Sequence, residues 1–240
     1  MFREQRRYGN DPNVVVRTKT WGDPDKWQRK LAGTGNTEMV FTCSWSDWFI
    51  EEADEWRPEA WAIVKRCPSL IFQILTKRPD LIADRLPADW GGGYANVWLG
   101  VSVESQEYAD SRIPKLCEIP AAIKFLSCEP LLGPIRLPEE FLRCPTCGYS
   151  RDDVGMQMDH HLCQGPGPRM GWVITGCESG DARRKMQDEW AEGITDQCRS
   201  TGIPIFNKQV EVNGRVEHDM SKFPPPLRFQ ELPHVGTVWA

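Results

Sequence analysis

Short apolar runs recur along the chain at nearly constant spacing, and this recurrence restricts the fold more than any other feature. The runs are NVVVR (13–17), MVFTC (39–43), LIFQIL (70–75), VWLGV (97–101), AIKFLSC (122–128), WVITG (172–176) and PIFNK (204–208). They are continuous rather than alternating, which is typical of strands buried on both faces of a parallel sheet. Helix-like segments such as PEAWAIVKRC and QDEWAEGITDQCRS separate them, so the sequence predicts an α/β fold.

The spacing indicates which α/β fold to expect. Successive runs begin 26, 31, 27, 25, 50 and 32 residues apart, close to the roughly 30 residues that one strand–helix unit needs. Seven units are visible, one fewer than a closed (β/α)₈ barrel contains. We therefore expect an incomplete TIM-type barrel, with an open doubly wound sheet as the alternative.

Composition limits the cellular setting and the number of domains. The 240 residues are 40% hydrophobic, which suits one α/β domain spanning 1–240. No run of 18 apolar residues is present and the first residues are polar, so we expect neither a membrane span nor a secretory signal. Nine scattered cysteines favour reduced thiols or metal ligands, and a cytoplasmic location is expected. The net charge of −5 means that nucleic-acid binding would need a local basic patch.

The 50-residue interval between the fifth and sixth runs holds a dense group of cysteines and histidines. We interpret residues 138–170 as a zinc-knuckle-like insertion. Cys144 and Cys147 form a C-x₂-C turn, and Cys163 with either His160 or His161 completes a Cys₃His set that suits structural zinc. A reduced loop without metal and, more distantly, an iron–sulfur cluster are the alternatives. Because a closed four-ligand site has no open position, we expect it to stabilise the fold rather than to react with a substrate.

Polar and charged residues follow nearly every predicted strand. Glutamates follow three strands, and a small residue (Ser102, Ser127 or Gly176) stands two positions before each one. The candidate catalytic residues are Glu104, Glu129 and Glu178. The candidate ligand-binding residues are Asp47, Lys77, Arg78, Ser102, Ser179, Lys208 and Gln209. Because the carboxyl ends of parallel strands share one edge, we expect these groups to form a site for a small charged ligand.

Helix capping is the alternative explanation for two of these glutamates. Glu104–Ser105 and Glu178–Ser179 both resemble helix starts, where carboxylates and hydroxyls accept from free backbone N–H groups.

At the C-terminus, VEVNGRVEH predicts a β-hairpin with a type I′ turn at Asn213–Gly214. The proline-rich segment after it is expected to run extended over the barrel wall.

Six strings in sequence order carry a resemblance to a known family, from about Tyr8 to Gln209. They are FTCSWSDWF, FQILTKRP, NVWLGVSVESQEYADSRIP, KFLSCEPLLGPI, WVITGCESG and DQCRSTGIPIFNKQ. The chain resembles the phage- and prophage-encoded three-cysteine-motif proteins, which look like radical S-adenosylmethionine enzymes and whose activity is not established. The resemblance implies a bacterial host, S-adenosylmethionine and a 4Fe–4S cluster.

The same resemblance implies two departures. Family members carry a cysteine loop for the cluster ahead of the point where MFREQRRYGNDP begins, so this chain is expected to lack those ligands and to be inactive in radical chemistry as given. An omitted N-terminus and a natural short form are the two explanations. The usual Gly-Gly-Glu-Ser-Gly string also reads Gly176-Cys177-Glu178-Ser179-Gly180 here, which argues against a role for bare glycine at 177.

Three functions compete at this stage. The first is a radical S-adenosylmethionine-like scaffold that binds a small charged ligand at the strand ends. The second is a hydrolase in which two of the strand-end carboxylates act as acid and base. The third is a non-enzymatic module whose zinc-stabilised insertion contacts a protein or nucleic acid.

Overall fold

The computed structural model describes residues 15–44, 46–143 and 170–233. Its strands are β1 (Glu38–Phe41), β2 (Leu70–Thr76), β3 (Val97–Ser102), β4 (Ile123–Cys128), β5 (Trp172–Gly176), β6 (Ile205–Val212) and β7 (Arg215–Glu217). Its α-helices are α1 (Asp23–Leu31), α2 (Arg57–Arg66), α3 (Gln106–Glu118), α4 (Glu139–Leu142) and α5 (Asp188–Arg199). Short 3₁₀ helices lie at Glu51–Ala53, Pro79–Leu81, Ala83–Arg85, Met220–Lys222 and Pro225–Leu227.

The seven strands form one curled, mostly parallel sheet with the shape of a half-barrel. Strands β1 to β6 lie side by side in sequence order and pair in parallel, and β7 pairs antiparallel with β6. The order never reverses, so the sheet has no switch point of the kind that defines a doubly wound fold. The incomplete barrel expected from the sequence is confirmed in this coarser form.

The predicted count of seven parallel units is wrong for the described chain, which has six. The first predicted strand, NVVVR (13–17), lies partly outside the described residues, and residues 15–17 form no strand. Arg17 instead turns toward the surface of α2, where it donates to Glu59 Oε1 at 2.9 Å and stacks on Trp21 at 4.2 Å. Residues 15–17 therefore do not contribute a strand to the sheet.

Two apolar clusters cover the two faces of the sheet. Outward-facing strand residues such as Leu99 and Leu126 pack against helix residues such as Ile113 and Ile194 in one large buried cluster. The opposite, inner face holds a smaller cluster, in which Ile71, Trp98, Phe125 and Trp172 are all buried. The parallel register puts alternate residues of neighbouring strands on the same face, which explains this separation.

The two edges of the sheet differ in their cover. At the β6 edge, the predicted hairpin is confirmed, because Asn213 and Gly214 both have positive φ (51° and 73°) as a type I′ turn requires. The segment after the hairpin returns to β6, where Phe229 O accepts from Asn207 N at 2.8 Å and Glu231 N donates to Ile205 O at 2.9 Å. At the β1 edge, Met39 and Phe41 are 44% and 48% exposed.

The zinc-knuckle-like insertion lies largely outside the described residues, and so do all five of its predicted ligands, Cys144, Cys147, His160, His161 and Cys163. The chain enters it from α4 and leaves it at Met170, whose N–H donates to Phe141 O at 3.0 Å. The two ends are therefore adjacent. Zinc binding stays a prediction.

Candidate functional site

The predicted strand-end residues gather along the carboxyl edge of the half-barrel. The strands β2 to β5 end at Thr76, Ser102, Cys128 and Gly176, and most of the polar residues follow these ends. Lys208 and Gln209 instead lie within β6, where Gln209 is in register with Gly176. We call this group the rim and define it as Asp47, Lys77, Arg78, Ser102, Glu104, Arg112, Ser127, Glu129, Glu178, Ser179, Arg184, Lys208 and Gln209. Most of its charged members form ion pairs with one another.

Glu104, which follows β3, is the most buried carboxylate of the rim, with 4% of the residue exposed. Its Oε1 pairs with the Lys77 ammonium, and its Oε2 accepts from Arg112 Nη1 at 2.9 Å. Arg112 also donates to Ser102 O at 2.6 Å and stacks on the Tyr108 ring at 3.9 Å. Two cations therefore compensate one carboxylate, one from the loop after β2 and one from inside α3.

Asp47 is held by the end of the neighbouring strand. Its carboxylate accepts from Thr76 Oγ1 at 2.8 Å, from Lys77 N at 3.0 Å and from Phe49 N at 2.9 Å. Arg78 Nη1 lies 3.8 Å away, too far for a hydrogen bond but close enough for an ion pair. Asp47 thus fixes the loop that presents Lys77 and Arg78.

Glu129, which follows β4, crosses the end of β5 to reach β6. Lys208 Nζ donates to its two oxygens at 2.9 and 3.0 Å, and Gln209 Nε2 donates at 3.3 Å. A Cβ added at Gly176 would lie 3.2 Å from the Glu129 side chain, so the glycine leaves room for this crossing. Gln209 Nε2 also donates to Cys177 O at 2.6 Å, so β6 is connected to the segments that follow β4 and β5.

Glu178, which follows β5, forms a bidentate pair with Arg184. The Arg184 Nε and Nη2 groups donate at 2.8 and 2.9 Å, and the Arg184 backbone N–H donates at 2.8 Å. These hydrogen bonds lower the pKa of Glu178 to about 2. The pKa of Arg184 is raised, chiefly by the hydrogen bond to Glu178, and the charge of Glu104 adds to the effect. Two of the three predicted catalytic carboxylates therefore act on the same guanidinium.

The helix-capping explanation is wrong for both glutamates. Ser105 does occupy the cap position of α3, but its side chain makes no capping hydrogen bond, and the Glu104 carboxylate binds basic side chains instead. No helix follows Glu178–Ser179, because the next α-helix begins at Asp188. Ser179 itself is exposed.

Small side chains line the inner face at and just below the rim. Ser102 and Ser127 are opposite one another in the β3–β4 register and are 3% and 5% exposed. Below them lies Gly100, where an added Cβ would be 2.4 Å from the Phe125 ring. Residues on this face therefore decrease in size toward the carboxyl edge, from Trp98 to Ser102 on β3 and from Trp172 to Gly176 on β5.

The described thiols near the rim do not suit metal or nucleophilic chemistry. Burial first, and the charge of Glu104 second, raise the pKa of Cys128 to about 12. Burial also raises the pKa of Cys177. Within residues 15–44, 46–143 and 170–233, no three His, Cys, Asp or Glu side chains are grouped as a metal ion would require, so these residues do not fit a 4Fe–4S cluster.

Three contributors to the rim were missed by sequence reasoning. Arg112 and Arg184 carry charges in the middle of a helix and a loop, and Thr76 ends a strand with a hydroxyl. A signal existed for Arg112. Glu104 lies just before the cap residue of α3, and Arg112 follows it by about two helical turns, which puts both side chains on the same side of the helix. The loop from Glu178 to Arg184 has no regular spacing that would have indicated their contact.

Within the described parts of the chain, no helix is long and apolar enough to cross a membrane.

The comparisons with known proteins give one match. No curated protein and no solved structure matches the sequence. The model of a family described as "Protein of unknown function (DUF5131)" matches residues 2–223. This match spans the whole half-barrel with its rim, and the chain therefore belongs to that family.

Proposed function

We propose that this protein binds a small charged ligand at the rim of its half-barrel, and that the ligand belongs to the class of S-adenosylmethionine. The observation that carries the proposal is the set of alternating charges along one edge of the sheet. Carboxylates follow β3, β4 and β5, and each one contacts a basic side chain. For Glu104 and Glu129 the partner comes from another part of the sheet edge, and for Glu178 it comes from the same loop. Such a rim offers partners both to an ammonium and to a carboxylate of the same ligand.

The resemblance of the six strand-end strings to phage-encoded, radical S-adenosylmethionine-like proteins supports this ligand class and a cytoplasmic setting. S-adenosylmethionine would supply its sulfonium and its amino-acid end. Glu104 and Glu129 would accept from the ammonium, and Lys77 and Lys208 would bind the carboxylate. The small residues Ser102, Ser127 and Gly176 leave space beside these groups on the inner face.

The rim favours ion binding over acid–base hydrolysis. A general acid needs a carboxyl group that is still protonated near neutral pH, which usually requires a raised pKa. Glu178 has the opposite property, since its pKa is about 2, and Glu104 is in contact with two cations. We therefore assign these glutamates to ligand binding.

Isothermal titration with S-adenosylmethionine tests the proposal, with adenosine as the uncharged control ligand. We expect S-adenosylmethionine to bind and adenosine to bind at least about tenfold more weakly, because adenosine lacks both charged groups. Glu129→Gln should weaken binding of S-adenosylmethionine by a similar factor. The matched control is Glu59→Gln, which removes an exposed ion pair with Arg17 far from the rim.

Two results would contradict the proposal. One is the absence of binding at millimolar S-adenosylmethionine. The other is equal binding of S-adenosylmethionine and adenosine, because the rim charges would then contribute nothing. Thermal unfolding of each variant establishes that the comparison is made between folded proteins.

A further inference from the structure

The charges of the rim are arranged in two layers. The carboxylates are the inner layer, with side-chain exposures of 6% for Glu104, 11% for Asp47, 22% for Glu129 and 29% for Glu178. Four of their basic partners are the outer layer, with exposures of 57% for Lys77, 50% for Arg78, 50% for Lys208 and 61% for Arg184. The fifth, Arg112, is 13% exposed and lies with the carboxylates. A molecule that approaches the rim from solvent therefore meets cations first.

Ion pairs outside the rim vary in this order, and several share it, such as Lys26–Asp23 (64% and 22%) and Lys222–Glu217 (61% and 26%). Both members are about equally exposed in the pairs Lys65–Asp89 (52% and 56%) and Lys115–Asp80 (52% and 57%). In the pair of Arg85 with Asp54 the order is reversed, because the cation is 12% exposed and the carboxylate 49%. What distinguishes the rim is that four pairs with the cation outermost lie together along one edge of the sheet.

The local charge also opposes that of the whole protein. The rim holds five basic side chains (Lys77, Arg78, Arg112, Arg184 and Lys208) against four acidic ones, whereas the chain carries a net charge of −5. The buried carboxylates hold the cations in place while leaving them donors to spare. An ammonium has three N–H groups, and the hydrogen bonds of Lys77 and Lys208 to carboxylates use one and two of them.

The outer layer suits phosphate. Phosphate oxygens are strong acceptors that several lysines and arginines can share, and the arginine fork matches a phosphate edge. Four cations distributed over the ends of β2, β5 and β6 exceed the needs of one carboxylate, so they fit a ligand with two or more negative charges.

An exposed aromatic side chain adds to this chemistry. Phe41 ends β1 at the same edge of the sheet and is 48% exposed. It is in register with Gln73, so it lies on the inner face beside the strand that leads to Lys77. A planar base can stack on such a ring, as bases do in proteins that bind single strands.

We infer that the rim takes the phosphate groups of a nucleotide, either free or within a single strand, through Lys77, Arg78, Arg184 and Lys208. The inference rests on the proposed function, in that both place a ligand at the rim. It adds the class of a second ligand or substrate. It assigns a role to Arg78 and Arg184, which the amino-acid end of S-adenosylmethionine does not require, and it has Lys77 and Lys208 serve either ligand.

The test uses the full chain and three probes: inorganic pyrophosphate, adenosine triphosphate without metal, and a fluorescent oligothymidylate. Titrations compare wild-type protein with the double variant Lys77→Met/Lys208→Met. The control is Lys65→Met/Lys115→Met, which makes the same change of net charge at two equally exposed lysines outside the rim.

We expect pyrophosphate to bind the wild-type protein, and the rim variant to bind it at least about tenfold more weakly, since two charge-assisted contacts are lost. The control variant should change the affinity less than about twofold, because exposed charges at a distance are screened by salt. For oligothymidylate, four phosphate contacts predict a slope of about −3 for log K against log salt concentration, and the rim variant should lower its magnitude by about 1.4. This slope is measured on wild-type protein alone, so the test holds even where the rim variant does not fold.

Tighter binding of oligothymidylate supports a strand as the phosphate source, and tighter binding of adenosine triphosphate supports a free nucleotide. The inference is overturned if none of the three probes binds at millimolar concentration, or if the rim and control variants lose affinity equally. If S-adenosylmethionine binds and the phosphate probes do not, only this inference fails. If the phosphate probes bind and S-adenosylmethionine does not, the proposed function fails and this inference stands.

Discussion

The outer and inner faces of the sheet are built from the same strands, yet their side chains differ in size and polarity. On β3, the outward residues Val97, Leu99 and Val101 are fully buried against helices, while the inward residues run from Trp98 through Gly100 to Ser102. On β3 the outer face is apolar along its whole length. The inner face changes from aromatic to small and polar, and it ends at the charged rim. The alternation of a single strand therefore puts the apolar packing residues on one face and the residues that lead to the rim on the other.

The largest expected effect concerns Arg112, a helix residue whose side chain reaches the rim. Arg112 lies on α3, and it compensates the buried Glu104 of the rim. Arg112→Met should cost about 3 kcal/mol in the free energy of unfolding, at the low end for breaking a buried ion pair because Lys77 still contacts Glu104. Urea unfolding measures this loss.

A second variant makes that prediction specific. In the double variant Glu104→Gln/Arg112→Met, no buried charge is left without its partner, so part of the lost stability should return. The exposed-pair variant Arg17→Met should change stability by less than about 0.5 kcal/mol. A loss of similar size in Arg17→Met and Arg112→Met would show that the burial of Glu104 has no special role.

A smaller effect is expected from filling the inner face. Gly100→Ala places a methyl group 2.4 Å from the Phe125 ring, which must then move. We expect a loss of about 1–3 kcal/mol in the free energy of unfolding, as for other overpacked sites. The matched control is Gly92→Ala, because nothing lies within 4 Å of an added Cβ at Gly92.

The two glycine variants together test whether the inner face is tightly packed at Phe125. Gly92→Ala should leave stability unchanged or raise it slightly, because alanine restricts the unfolded chain. If Gly100→Ala were equally harmless, the inner face would have free space at Phe125, and its size gradient would not reflect packing.

The smallest effect is the pH dependence of the Glu178–Arg184 pair. The pKa of Glu178 is about 2 in the folded protein against a usual value of 4.5, so the unfolded chain binds the proton more tightly. The stability that this pair contributes is therefore fully present above about pH 4.5 and is lost as the pH falls toward 2. The contribution is small, because the guanidinium is exposed to solvent and the pair is screened.

Urea midpoints of wild-type protein and Arg184→Gln, compared from pH 7 down to pH 3, measure this contribution. The difference between the two proteins should shrink with falling pH. A difference that stays constant would mean that Glu178 titrates normally and that Arg184 acts on stability by another route.

Much of the fold could be predicted because it depends on local pattern. Continuous apolar runs gave five of the six parallel strands nearly as observed, and MVFTC gave β1 with a shift of one or two residues. NVVVR failed because a short apolar run has no feature that distinguishes a strand from a surface segment, and Arg17 has its partners on α2. The Asn-Gly turn succeeded because its backbone conformation depends on those two residues alone.

The rim could be predicted only in part, for a related reason. Parallel strands force their carboxyl ends to one edge, so the positions of Glu104, Glu129 and Glu178 followed from topology. The pairing of each carboxylate did not, because Lys208 reaches Glu129 across 79 residues of sequence and Arg184 lies in an irregular loop. The layering of charge depends on side-chain depth, which no sequence pattern encodes.

The sign of the ion that binds at the rim tests most directly whether cations form its exposed layer. Crystals of the protein soaked separately in bromide and in rubidium would locate anions and monovalent cations by anomalous scattering. We expect bromide peaks beside Lys77, Arg78, Arg184 and Lys208 and no rubidium there, because the cations form the exposed layer. Rubidium peaks at the rim without bromide would show that the carboxylates face solvent, and would contradict it.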